Sequence, residues 1–234
     1  MRHLALITTG GGPFGGLETF ARGLVDWLLD DGWRVTVALS GHDFLPNERR
    51  GDRLLVEPVN WVKVADLSGD RRYTRAAVAD RFRWFRRVRP EVALFVQSSN
   101  TPLRASVLAA RLAGVPVVTT QRTLPARLPE IPSRRHLFGL LPGLGLHRRR
   151  LIRGARLTAR LAHRLVYNSR AVRRLYETEY GYPASRGLVI ANAVRCPAAA
   201  DADARVSYTS SQPSNSLLVG YVGRFGREKR IDVL

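Results

Sequence analysis

One alternation recurs along the chain and constrains its fold more than anything else: a short apolar run, a segment with helical period, and another apolar run. "HLALIT" is followed by "LETFARGLVDWLLDDG" and "RVTVAL", "EVALFVQ" by "LRASVLAARLAG" and "VPVVTT", and "HRLVYNS" by "RAVRRLYETEYG" and "LVIAN". Runs this apolar belong to strands covered on both faces, and helical segments between such strands imply parallel crossovers. The expectation is an α/β protein: a parallel sheet with helices on both faces and ligands beyond the carboxyl ends of the strands. In the first helix Leu17, Phe20, Ala21, Leu24, Trp27 and Leu28 recur close to the 3.6-residue period, and Gly32 marks its end.

The pattern is less regular between Gly51 and Pro90. "LLVEPVNWVKV" has the composition of one or two strands, and "YTRAAVADRFRWFRRVRP" is an amphipathic helix stopped by Pro90. After Asn192 the composition changes to small, polar and proline-containing residues without sustained period, longer than a loop inside one compact domain. The expected organisation is a first domain over 1–195, a linker over 196–216, and the start of a second domain over 217–234.

A formal charge of +19, from 38 basic against 19 acidic residues, calls for an anionic partner: nucleic acid, an anionic membrane surface or phosphorylated small molecules. Nucleic acid is the weakest of these, because the arginines are not interleaved with solvent-facing aromatics. Cys196 is the single cysteine, which excludes an internal disulfide and a cysteine-rich metal site. The apolar start is too short for a secretory signal core, and no run approaches the roughly 20 apolar residues of a membrane span. The expected location is the cytoplasm, with attachment to the inner face of the membrane as an extension.

"TTGGGPFGGLET" places five glycines between positions 10 and 16, directly behind the first strand. Glycines cluster where the backbone needs positive φ or where something approaches it closely, so this stretch is either a ligand loop or a tight turn. It lacks the Gly-Lys-Ser/Thr of a P-loop, and Gly10, Gly12 and Gly15 do not complete a dinucleotide fingerprint. A loop whose N–H groups, at a helix start, face an anion or sugar hydroxyls remains, with Glu18 placed to cap the helix.

Three stretches, in order, carry a resemblance. "GGPFGGLETFARGLVDWLLDDGWRVTVAL" is similar to the opening of retaining glycosyltransferases of family 4. "LVYNSRAVRRLYETEYGYPASRGLVIANAV" resembles the end of their first domain, and "LLVGYVGRFGREKRIDVL" the start of their second. The resemblance implies the first half of a GT-B fold, with a Rossmann-like domain on the acceptor side. It also implies transfer of a sugar from a nucleotide-diphosphate sugar with retention of configuration, without cofactor or metal. Arg224 and Lys229 match the basic pair that stabilises the departing diphosphate, and Gly15 and Gly16 match the loop that lies against diphosphate and sugar. Asn192 matches a junction asparagine, read as structural. Where many members carry a histidine after the strand corresponding to "VPVVTT", this chain has Gln121 and Arg122. Together with Ser98, Ser99 and Asn100 these are the expected acceptor-binding residues. The family's Glu-x7-Glu element does not occur in these 234 residues, so the chain by itself is expected to be inactive.

Between Glu130 and Glu177 there are twelve arginines and no acid. "LFGLLPGLGL" precedes the densest part, and an apolar element beside an arginine-rich helix suits an anionic bilayer, with Arg148, Arg149 and Arg150 facing lipid phosphates. The resemblance to family 4, whose members acting on lipid-linked acceptors use a basic surface of the first domain, implies a lipid-linked or polysaccharide acceptor. The competing reading makes Leu151, Ile152, Leu157, Leu161 and Leu165 the core face of an ordinary helix and strand. A further alternative for the whole chain is a non-catalytic basic module that docks an anionic membrane or partner.

Overall fold

The computed structural model describes residues 1–10, 15–41, 43–45, 51–59, 75–97, 103–122 and 143–193; within these, the side chains of 9, 10, 75, 76, 97 and 143–151 are left out of the description. The chain divides into two compact units, Met1–Asn192 and Ala193–Leu234. The first unit alternates strand and helix: β1 (His3–Gly10), α1 (Gly16–Asp30), β2 (Arg34–Gly41), β3 (Leu54–Pro58), α2 (Arg75–Val88) and β4 (Val92–Gln97). It continues through α3 (Arg104–Leu112), β5 (Val117–Gln121), α4 (Gly143–Leu161), β6 (Arg164–Tyr167), α5 (Arg170–Tyr180) and β7 (Gly187–Val189).

The strands form one seven-stranded sheet in the order β3-β2-β1-β4-β5-β6-β7, and each neighbouring pair is parallel. β1 pairs with β2 through Leu6 and Val37 and with β4 through Leu6 and Leu94, so it lies at the centre. This is the α/β, Rossmann-like sheet expected from the alternation of runs.

Period-two alternation sends neighbouring side chains of one strand into different cores. Leu4, Leu6, Leu94 and Val96 pack with Ala21, Val25, Leu28 and Leu29 of α1 on one face. Ala5, Ile7, Ala93 and Phe95 pack with Phe85 of α2, Val107 of α3, Ala155 and Ala159 of α4 and Tyr176 of α5 on the other. Each large side chain buried in this way contributes about 1.5–3 kcal/mol relative to exposure. Burial on both faces is why these strands are continuously apolar in sequence.

Helix termini follow local chemistry. Ser169 caps α5, its hydroxyl accepting a hydrogen bond from the Val172 N–H at 3.2 Å, and Gly181 closes the helix in the left-handed region at φ 63°. Behind that turn Tyr176 stacks with Tyr167, Tyr180 and Tyr182 at centroid separations of 5.9, 5.7 and 5.1 Å. The stretch "YNSRAVRRLYETEYGY" is therefore a strand end, a serine cap, a helix and a glycine stop.

Two helix faces differ from their sequence reading. In α1 the buried stripe is Glu18, Ala21, Val25, Leu28 and Leu29, while Trp27 is 60% exposed. In α4 Ala155, Thr158 and Ala159 are buried, with Ile152 and Leu161 partly buried against the same core, and Leu157 is 51% exposed. The guanidinium of Arg104, in the first turn of α3, occupies the space that a side chain at Gly154 would fill. Leu157 therefore leaves the set expected to form that helix's core face, whereas Leu165 in β6 is fully buried.

Candidate functional site

The strand order reverses between β1 and β4, since the chain winds outward from β1 through β2 to β3 and from β4 through β5, β6 and β7 in the other direction. At such a switch point the connections leave in opposite senses and a crevice opens beyond the carboxyl ends. Gly10 ends β1, Gln97 ends β4 and Gln121 ends β5, all at this edge.

α1 begins beside it. Gly15 is the N-cap in an extended conformation (φ −168°, ψ 163°), and its carbonyl accepts from the Thr19 N–H at 2.9 Å. Positive φ therefore does not explain glycine at this position. Close approach does: Glu18, in the first helical turn and 7% exposed, lays its carboxylate against Gly15, where a Cβ would collide with Oε2. An acid there sits at the positive end of the helix dipole, as expected for Glu18. Gly16 is different. It is exposed, and a Cβ there would meet nothing within 4 Å.

Arg122 follows β5 at the same edge and is half-buried. Its guanidinium carbon lies 3.4 Å from the centroid of the Phe20 ring of α1, a cation–π contact. Nη2 donates to Oδ1 of Asn192 at 2.8 Å, and the Arg122 carbonyl accepts from Nδ2 of Asn168 at 2.9 Å. Burial pushes the guanidinium's pKa down from its ordinary value. One arginine thus joins α1, the ends of β5 and β6, and the last residue of the first unit. Gln121, beside it, is 2% exposed.

Of the site residues expected from sequence, Gly15, Gly16, Gln121 and Arg122 are described, and all four stand at the carboxyl edge of the sheet. Ser98, Ser99, Asn100, Arg224 and Lys229 lie outside the described residues. Arg148, Arg149 and Arg150 lie on α4, with only their backbone described. Sequence reasoning assigned no site role to Phe20 or Asn168. Phe20 sits on the apolar period of α1, and the available signal at Asn168 was its place between a strand end and a helix cap. Among the described residues no group of three or more His, Cys, Asp or Glu is arranged to hold a metal ion.

A parallel sheet with this strand order and helices on both faces is the Rossmann-like first half of a GT-B fold. Residues 14–196 match the model of Glycosyltransferase Family 4, and the chain belongs to that family. Among solved structures, a glycosyltransferase from Rickettsia africae ESF-5 is similar at a TM-score of 0.53 and 13% identity, over 83% of this chain and 44% of that one. Anabaena Alr3699/HepE, determined with UDP-glucose, aligns at a TM-score of 0.48 and 18% identity over 83% and 44% of the two chains. UDP-N-acetylglucosamine 2-epimerase from Rickettsia bellii aligns at 0.48 and 14% over 81% and 44%. The chain spans less than half the length of these structures. No curated protein sequence matches it.

The geometry at α1 separates the two glycines. Gly15→Ala is expected to lower the melting temperature modestly, because alanine is a poorer N-cap than glycine and its methyl group also makes the Glu18 carboxylate shift. Gly16→Ala is expected to melt at or above the wild type, since alanine is favoured over glycine in a helix by up to about 1 kcal/mol. Thermal denaturation followed by circular dichroism checks both, and an unchanged melting temperature for Gly15→Ala would contradict this packing.

Proposed function

We propose that the chain forms the acceptor-side domain of a retaining glycosyltransferase, which moves a sugar from a nucleotide-diphosphate sugar to an acceptor. The observation that carries this reading is the meeting of Gly15, Gly16, Gln121 and Arg122 at the carboxyl edge of the sheet in a family 4 chain. The bond from the anomeric carbon to the diphosphate breaks as an acceptor oxygen bonds to that carbon, and the acceptor's proton leaves with the diphosphate. Negative charge grows on the diphosphate as the bond breaks. In this proposal Arg224 and Lys229 receive that charge, a task a guanidinium and an ammonium perform without a metal ion or cofactor. Gly15 and Gly16 let the donor approach the start of α1; the open space at Gly16 supports this, while Glu18 shows that the helix end itself is already matched by an acid. Gln121 and Arg122, with Ser98, Ser99 and Asn100, face the acceptor.

The acceptor is proposed to be lipid-linked or a cell-envelope polysaccharide, with the domain resting on an anionic membrane at its cytoplasmic side. Among the described residues no helix is long and apolar enough to cross a membrane. The outer face of α4 nevertheless exposes Arg153, Leu157 and Arg160, which share one stripe at spacings of four and three residues. Basic groups around an exposed leucine on a helix that also carries Arg148, Arg149 and Arg150 suit adsorption to anionic lipid.

In an active preparation containing these residues, Arg224→Ala and Lys229→Ala are each expected to lower turnover by about 100-fold or more, as loss of a charge-stabilising group does in a water-excluded site. Losses below about threefold in both would overturn the diphosphate assignment. The protein is also expected to sediment with phosphatidylglycerol vesicles at low salt, and much less once Arg148, Arg149 and Arg150 are all replaced by glutamine. Equal recovery in the supernatant with neutral and anionic vesicles would contradict membrane docking.

A further inference from the structure

Several arginines of this domain are engaged in recognisable ways. Arg87 is paired with Glu57, Arg173 with Glu177 and Arg2 with Asp31. Others cover backbone carbonyls at helix ends: Arg53 donates to Leu29, Arg156 to Tyr180, and Arg186 to Arg160 and Ala162. Arg122 does neither. Its guanidinium makes one hydrogen bond, to the neutral amide of Asn192, and no ion pair among the described residues. It is half-buried even so, with Phe20 beneath one face, and its backbone is fixed by Asn168.

A cation held half out of water, with no counter-ion among the described residues, gains when an anion arrives. The arrangement is also preorganised. Phe20 sets the plane of the guanidinium and Asn192 takes one of the two Nη2 hydrogens, which leaves the edge formed by the other Nη2 hydrogen and its parallel neighbour for a second partner. Two parallel N–H donors on that edge match two oxygens of a tetrahedral oxyanion.

We propose that Arg122 is an anion-recognising arginine of the acceptor pocket, and that the acceptor carries a phosphate group which this residue receives. The inference rests on the transferase reading above and narrows its acceptor from any hydroxyl compound to a phosphate ester. Arg122 positions the acceptor through its phosphate and takes no part in bond making.

The test is binding of inorganic phosphate to the whole chain at constant ionic strength, followed by the NMR signal of the Arg122 Nε–H and by calorimetry. A saturable shift of that signal is expected. Affinity should fall on the order of 10-fold in Arg122→Gln and less in Arg122→Lys, which keeps the charge but loses the paired donors. Arg111→Gln, whose guanidinium lies against His163 instead, should bind as the wild type does. Glycerol 3-phosphate competing at the Arg122 signal identifies a soluble ester as sufficient. Phosphatidic acid vesicles competing where glycerol 3-phosphate does not would place the phosphate on a lipid. No saturable shift in the wild type, an equal loss in Arg111→Gln, acetate binding as tightly as phosphate, or competition by UDP alone would overturn the proposal. Because binding needs no donor, the two readings fail separately: transfer without phosphate at Arg122 refutes this inference, and phosphate at Arg122 without transfer in a preparation that also carries the Glu-x7-Glu element refutes the enzyme.

Discussion

β1 pairs in parallel on both sides, with β2 and with β4, and the remaining geometry of the domain follows from that central position. Parallel neighbours require crossovers, crossovers place helices over both faces, and both faces are then dry. With the faces closed, the sheet has exposed backbone at its two ends, and the outward winding from β1 and from β4 opens the carboxyl end between them. Gly15, Gln121 and Arg122 are brought to one edge by pairing register, although more than 100 residues separate the first from the others in sequence.

The basic composition has two physical uses in this domain. Part of it is structural: guanidiniums of Arg53, Arg156 and Arg186 donate to carbonyls at or just beyond the ends of helices, where orphan acceptors need donors and a positive charge complements the dipole. Arg87 and Trp84 together fix Glu57 on the edge strand β3, with donor distances to the carboxylate of 3.0, 2.5 and 2.7 Å. The other part is exposed, as at Arg153 and Arg160 on the outer face of α4. A net charge of +19 therefore overstates the surface offered to an anion, because several guanidiniums are already committed to the fold.

The strands were legible in sequence because burial on both faces leaves continuous apolar runs, and the stop signal at Gly32 was legible because that glycine takes positive φ. The rotation of helices was less so. Hydrophobic period alone placed Trp27 and Leu157 on buried stripes, yet both are exposed, because α1 turns Ala21, Val25, Leu28 and Leu29 to the sheet and α4 turns Ala155 and Ala159 to it. At the site, Gln121 and Arg122 could be singled out as strand-end residues. The contact between Arg122 and Phe20 could not, since it exists only once α1 and β5 are assembled around the same edge. The same holds for Glu18 and Gly15, where sequence gave a cap but not the carboxylate lying against the glycine.

The proposed function requires the carboxyl edge of the sheet to be the ligand face. Amide hydrogen exchange, measured with and without glycerol 3-phosphate at saturating concentration, tests this most directly. Slowed exchange is expected at Thr8, at Gly15 to Thr19 and at Gln121 and Arg122, with no change at the amino ends of the same strands, around His3, Arg34 and Val117. Protection confined to those amino ends, or protection nowhere in the sheet, would contradict it.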